Sequence, residues 1–247
     1  MTLPLHLLPS EALSGRGVGD AVLLDGPEGR HAATVRRTRV GEHLLITDGA
    51  GLRVEAQVVA VGSGSLDLVV VAVAHDPAPS PRLVLVQALA KNDRDDQAIE
   101  AATECGVDEV VPWQAGRSVV QWRGERGEKA RRKWDAVLVA ATKQSRRSRR
   151  PVLAPAATTA DLVARVRAAA AAYVLHEDAT VPLATVVLPD AGDVVVVVGP
   201  EGGVAPEEVA LLEAAGAVTV RLGSTVLRSS SAGPAALAVL SAMSRWR

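Results

Sequence analysis

The feature that most constrains this 247-residue chain is the run Val194–Val198. Five consecutive β-branched residues stand between Asp193 and Gly199, with no alternation of polar and apolar positions. Such a run reads as a strand buried on both faces, the kind found in parallel sheets covered by helices on either side. A second apolar run, Val218–Leu222, stops at Gly223. The first strand leads into Gly199-Pro-Glu-Gly-Gly203, and the second into the small, polar stretch Leu222–Ala232. In open α/β sheets, ligands sit at the carboxyl ends of strands. These two loops are therefore the candidate ligand site.

The chain around them alternates strand-like and helix-like segments. Leu83–Ala88, Val107–Pro112 and Tyr173–His176 read as strands, and Ser118–Trp122 as a further one. Asp93–Cys105, Glu125–Gln144, Asp161–Ala172 and Pro206–Ala215 carry helical periodicity. Gly233–Trp246 is a final helix with Pro234 in its first turn, where Ser230 or Ser231 is the expected cap. The pattern predicts an α/β domain with a mainly parallel sheet. Residues 1–74 differ. Their short β-prone runs, Val22–Asp25, His43–Asp48, Leu52–Val61 and Leu66–Ala74, are separated by turn signals at Asp48–Gly51 and Gly62–Ser65. One helical pattern, Gly29–Val40, interrupts them. Three prolines between His75 and Pro81 favour an extended linker. The expected organisation is a small β domain at 1–74, a linker at 75–82 and an α/β domain at 83–247.

Several chemistries are missing. The single cysteine, Cys105, excludes an intramolecular disulfide and Cys-rich metal sites. The five histidines share no metal-ligand spacing, so no metal is expected. No dinucleotide fingerprint, phosphate loop, nucleophile elbow or His-Glu-x-x-His pair occurs. Aromatic content of 2% argues against base-stacking platforms. Without a signal-like N-terminus or an apolar stretch of membrane length, the expected location is the cytoplasm, with no membrane partner.

What remains is glycine and arginine. Gly199–Gly203 is either a bare turn or a loop whose missing Cβ atoms let a flat ligand lie on backbone groups. Glu201 there faces a ligand cation or caps the next helix. Arg228 is available for phosphate or a polar substrate. The formal net charge is only −1, yet Lys143–Arg150 carries five cations in eight residues, including Arg146, Arg147, Arg149 and Arg150. Arg30, Arg36, Arg37 and Arg39 form a second cluster. Against the alternative of solvated charged faces, arginine-rich patches on two domains favour a shared groove for nucleic acid, held through its phosphates.

Taken in order, these residues resemble a known family. Gly199–Gly203 after a valine strand, then Leu222-Gly223 and Leu227-Arg228, is similar to the SPOUT-class RNA methyltransferases. Within that class the chain resembles the family that methylates N3 of a uridine in small-subunit ribosomal RNA. His31–Arg37 with Gly41 and Asp48-Gly49, Lys91–Arg94 with Ala102–Val107, and Gln144-Ser145 with Arg147 and Pro151 extend the likeness over nearly the whole chain. The resemblance implies a PUA-like β-barrel followed by a trefoil-knotted α/β domain. It also implies S-adenosylmethionine as cofactor, small-subunit ribosomal RNA as substrate, and a homodimer. Cofactor contacts carried over by position are Leu175, His176, Gly199, Glu201, Gly202, Gly203, Leu222, Gly223, Leu227 and Arg228. There are departures: the family often reads Arg-Thr-Glu-Thr-Ala where this chain has Arg228-Ser-Ser-Ser-Ala232, and Gln-Lys where it has Glu100-Ala101.

For the implied reaction, Arg228 stays protonated and is the candidate for stabilising a uracil anion. Glu201 is the candidate base, with a structural role as the other option. A rival class is a non-catalytic RNA-binding module, which would bind RNA without retaining S-adenosylmethionine.

Overall fold

The computed structural model describes residues 3–91 and 93–246. The chain forms two compact units, Met1–Ala78 with Thr142–Arg150, and Pro79–Ala141 with Pro151–Arg247. The units therefore do not follow chain order. The basic run 142–150, expected with the α/β domain, groups with the first unit. Hydrogen bonding explains why. Arg150 N–H donates to Gly49 O at 2.9 Å, Gly51 N–H to Ser148 O at 3.1 Å, and Thr47 Oγ1 to Ser148 O at 2.7 Å.

The first unit comprises β1 (Leu5–Leu7), α1 (Ser10–Leu13), β2 (Ala21–Leu24), α2 (Gly26–Arg30), β3 (His43–Thr47), β4 (Leu52–Val61) and β5 (Leu66–His75). The strands lie in the order β1-β3-β4-β5-β2. Only the β1–β3 pairing is parallel. Alternate residues of β4, namely Leu52, Val54, Ala56 and Val58, enter one core with Leu24, Leu44, Ile46, Leu66 and Leu68. Register shifts between Glu55 and Ala56 and between Val58 and Ala60 bend the β4–β5 ribbon around that core. The helical pattern expected over Gly29–Val40 begins earlier and stops sooner. After α2 comes a π-helical turn, His31–Val35, and Arg37 then takes a left-handed φ of 55°. Gly29 fixes the position of α2, because a Cβ there would lie 2.4 Å from Leu24 O.

The second unit comprises β6 (Arg82–Ala88), α3 (Arg94–Glu104), β7 (Glu109–Trp113), α4 (Gly124–Gln144, its last turn in the first unit), β8 (Val152–Leu153), α5 (Thr159–Ala168), β9 (Ala171–Leu175), β10 (Val181–Pro182), a 3₁₀ turn (Leu183–Thr185), β11 (Asp193–Val198), α6 (Pro206–Ala214), β12 (Val218–Arg221) and α7 (Ser229–Ser244). The sheet order is β10-β12-β9-β11-β6-β7-β8, and every pairing is parallel. The valine run is its centre. Val194, Val196 and Val198 face a core with residues of α3, α4 and α7, while Val195 and Val197 face one with α5 and α6. Full burial of one valine contributes roughly 1.5 kcal/mol or more, which commits this run to a doubly covered position.

Three local expectations fail here. Ser118–Trp122 is a loop, because the Gln114 amide satisfies its backbone: Nε2 donates to Val120 O at 3.1 Å and Oε1 accepts from Trp122 N–H at 3.2 Å. The helix expected to reach Ala172 ends at Ala168, since Ala171 onward pairs with β11. The last helix starts at Ser229 with Arg228 at its N-cap and no side-chain cap, so neither Ser230 nor Ser231 caps it and Pro234 lies inside the helix. Gly233 brings this first part of α7 onto the sheet, where a Cβ would stand 3.0 Å from Leu85 Cδ1.

Candidate functional site

The carboxyl ends of β9, β11 and β12 open into one cleft of about 700 Å³ within the second unit. All ten expected cofactor contacts line it. Leu175 and His176 come from the end of β9, Gly199, Glu201, Gly202 and Gly203 from the loop after β11, and Leu222, Gly223, Leu227 and Arg228 from the loop after β12. A parallel sheet places these ends on one side, which is why residues as far apart in sequence as Leu175 and Arg228 converge.

The glycines do different work. A Cβ on Gly199 would stand 2.7 Å from Val204 Cγ2, so this glycine permits the chain to fold back on itself. Gly203 closes that turn with a φ of +73° and donates its N–H to Pro200 O at 2.9 Å. A Cβ on Gly223 would meet no protein atom within 4 Å, so its absence leaves open space in the cleft wall.

The glycine loop is tied down on both sides. Glu201 Oε1 accepts from Lys91 N–H at 3.2 Å and from Arg94 Nη1 at 3.3 Å. Arg117 Nη1 donates to Gly202 O at 2.9 Å, and its stem lies 3.5 Å from where a Gly202 Cβ would be. Beneath them the buried Glu208 accepts from Gly116 N–H at 2.9 Å, Thr159 Oγ1 at 2.7 Å and Ala205 N–H at 3.3 Å. One carboxylate thus anchors the start of α6 and the segment carrying Arg117. Next to Arg94, burial pushes the Asp95 carboxyl up from its ordinary value, although hydrogen bonds from Ala90 and Asp96 N–H oppose this. His176 Nδ1 accepts from Asp178 N–H at 3.2 Å, which leaves the neutral ring's proton on Nε2.

Arg94 and Arg117 also line the cleft, as do Arg221 and Asp178, and none was singled out as a site residue from sequence. Arg117 lies just beyond the end of β7, so the strand-end rule applied to that strand would have flagged it.

The expected RNA-contacting arginines all belong to the first unit, a correction to their assignment to two domains. Arg30, Arg36, Arg37, Arg39 and Arg146 are exposed, whereas Arg147, Arg149 and Arg150 are half-buried. The Arg149 guanidinium is engaged with Asp76 O at 2.8 Å and Pro77 O at 3.0 Å. Among the described residues, no group of three or more His, Cys, Asp or Glu side chains could hold a metal ion. No helix among them is long and apolar enough to cross a membrane.

Comparison with known proteins bears on this cleft. Residues 77–241 match the family model of an RNA methyltransferase domain, and residues 24–71 that of an RNA methyltransferase PUA domain. Ribosomal RNA small subunit methyltransferase E of Mycobacterium bovis is 46% identical over 233 residues, covering 92% of this chain and 89% of that protein. The Bacillus subtilis protein of the same name is 26% identical, covering 88% of each. A Legionella pneumophila methyltransferase solved in complex with the bound cofactor SAM superposes with a TM-score of 0.85 at 26% identity, covering 98% of each chain. A ribosomal RNA small subunit methyltransferase E from Neisseria gonorrhoeae, bound to S-adenosyl methionine, has the same fold, with a TM-score of 0.84 at 24% identity over 98% of each chain. The parallel SPOUT-type domain and the N-terminal PUA domain expected from sequence are thereby borne out. From these matches, the chain belongs to the RNA methyltransferase family that includes the ribosomal RNA small subunit methyltransferase E proteins.

Proposed function

We propose that this protein transfers a methyl group from S-adenosylmethionine to N3 of a uridine in small-subunit ribosomal RNA. The observation that carries the reading is the convergence of three strand ends on one cleft, in a chain 46% identical to a ribosomal RNA small subunit methyltransferase E. The cleft suits the cofactor in size and lining. About 700 Å³ is the volume of a small-molecule site. Leu175, Leu222 and Leu227 offer apolar surface to an adenine ring, Gly199–Gly203 offers backbone N–H and C=O groups to its edge, and Gly223 leaves room. When bound, S-adenosylmethionine supplies an electrophilic methyl group on a sulfonium.

The chain's own residues position and stabilise. N3 of uridine gives up its imide proton to water in the open cleft, negative charge spreads onto the two flanking carbonyl oxygens, and N3 bonds to the methyl carbon as that carbon's bond to sulfur breaks. Arg228 is a permanent cation in the cleft wall and stabilises that charge. Glu201 is already committed to Arg94 and Lys91 N–H, so its part is to hold the glycine loop. The exposed arginines of the first unit, Arg30, Arg36, Arg37, Arg39 and Arg146, take the RNA backbone. The same reading includes action as a homodimer in the cytoplasm and a trefoil knot.

Mapping N3-methyluridine in small-subunit ribosomal RNA from a strain lacking this gene tests the function. Loss of one such mark, restored by the gene, is expected, and an unchanged pattern overturns it. Calorimetry with S-adenosylmethionine separates the enzyme from a non-catalytic RNA-binding module, which would not bind it.

A further inference from the structure

We propose that Arg117 grips a backbone phosphate of the substrate RNA, beside the nucleotide whose base enters the cleft, and so gives the second unit an RNA contact of its own. The proposal rests on the function proposed above and adds a ligand for one residue of the same cleft.

Arg117 follows β7, is exposed and lines the cleft, so it stands at the mouth. Its backbone is held from both sides. Gly116 N–H donates to the buried Glu208 at 2.9 Å, and Ser118 N–H to Ala115 O at 3.0 Å. Its side chain lies along the glycine loop, where a Cβ on Gly202 would fall 3.5 Å from Arg117 Cβ and one on Gly203 3.9 Å from its Nη1. Nη1 donates to Gly202 O at 2.9 Å, and the guanidinium makes no other hydrogen bond or ion pair among the described residues.

That single bond decides the chemistry. Nη1 lies on the Cδ side of the guanidinium, so tying it down leaves the N–H groups of Nε and Nη2 side by side on the opposite edge. Such a parallel pair of donors matches two oxygens of a phosphate or a carboxylate. A long side chain already held at both ends also has less freedom to lose when it binds.

The charges around it favour an anion. The carboxylates lining the cleft are Glu177, Asp178 and Glu201. Glu201 is shared between Arg94 and Lys91 N–H, while Glu177 and Asp178 follow β9, on the far side of β11 from β7. Arg117 is left with a neutral carbonyl as its partner.

Its place favours RNA over the methyl donor. The expected cofactor contacts come from the ends of β9, β11 and β12, whereas β7 lies two strands from β11 in the other direction, roughly 10 Å at the usual strand spacing. RNA carries a phosphate on each side of a nucleotide, and a base drawn out of its stack into the cleft brings those phosphates to the mouth.

Full-length Arg117→Gln and Arg117→Lys, compared with the unaltered protein, test this. Gln keeps an amide donor for Gly202 O without the charge, and Lys keeps the charge without the fork. The probes are S-adenosylmethionine alone and small-subunit ribosomal RNA from a strain lacking the gene. The RNA is offered bare and as assembled subunits, and the form bound more tightly by the unaltered protein is used throughout. Both variants should melt close to the unaltered protein, because Arg117 is exposed. In Arg117→Gln, affinity for S-adenosylmethionine should stay within roughly threefold, RNA affinity should fall about tenfold, and the slope of log K against log salt should flatten by roughly one. Arg117→Lys should keep that slope. An unchanged slope in Arg117→Gln overturns the proposal. So does a loss of S-adenosylmethionine affinity as large as the loss of RNA affinity, which assigns the fork to the carboxylate of the methyl donor. A lowered melt in both variants with the slope unaltered also overturns it and leaves Arg117 a structural tie. RNA binding without methyl transfer by the unaltered protein overturns the function but not the phosphate contact, which the slope still reads. Absence of RNA binding by the unaltered protein overturns both.

Discussion

Glu201 Oε1 accepts from Arg94 Nη1 at 3.3 Å, joining the loop after β11 to the start of α3 across 107 positions of sequence. Both side chains are about one-third exposed, so the pair itself adds under about 1 kcal/mol to stability. Its effect is to fix the glycine loop against the start of α3. Arg94→Ala should therefore leave the melting temperature nearly unchanged and weaken S-adenosylmethionine binding about tenfold, as read by calorimetry. A stable variant with unaltered affinity would show that the tie is incidental.

Arg228 is exposed, lines the cleft and forms the N-cap of α7 through its backbone alone. Arg228→Ala should leave cofactor affinity within a few fold while lowering single-turnover methyl transfer by about a hundredfold or more, the scale seen when an oxyanion donor is removed. Full turnover in that variant would remove Arg228 from the chemistry.

Glu208 is buried and receives three donors from three parts of the second unit. Glu208→Ala strands all three, so it should cost about 2–3 kcal/mol or more in urea unfolding. Glu208→Gln keeps an acceptor oxygen and should lose less.

In the first unit Glu28 receives His6 Nδ1 at 2.8 Å and Lys143 Nζ at 2.6 Å. Burial raises its carboxyl, but the hydrogen bonds and charges of His6 and Lys143 outweigh that and hold it below its ordinary 4.5. A carboxyl lowered by folding contributes stability that is fully present above 4.5 and is lost as pH falls through the lowered value. The stability gap between the unaltered protein and Glu28→Gln should thus close as the solution is made more acidic than 4.5. A gap that widens there would contradict the assignment.

The arginines should separate into two classes. Charge removal at Arg36, Arg37 or Arg39, all exposed, should weaken RNA binding and flatten its salt dependence by about one unit of slope per lost phosphate contact. Arg149→Ala should instead destabilise the first unit, because the guanidinium holds the carbonyls of Asp76 and Pro77. A salt slope unchanged in all the exposed variants would sink the phosphate-contact role.

By itself, the sequence determined the strands that are buried on both faces and the loops that end them. Val194–Val198 can be stable only at the centre of a covered sheet, and Gly199 and Gly203 are needed wherever a chain turns back this tightly. Those are local demands, written in side-chain volume and backbone freedom. Hence all ten expected cleft residues meet in one place. Tertiary structure alone decided the partners. Nothing around Glu201 announces Arg94, and nothing around Gly202 announces Arg117, since each tie crosses a large sequence separation. The helix start at Ser229 depends on how closely Gly233 can approach Leu85. Ser118–Trp122 has strand-like composition but lost its place to a side-chain amide and to β8, which pairs with β7 instead. The arginines of 146–150 joined the small unit because their backbone found the β3–β4 turn. Long-range hydrogen bonds and close packing made those choices, and neither leaves a periodic trace in the chain.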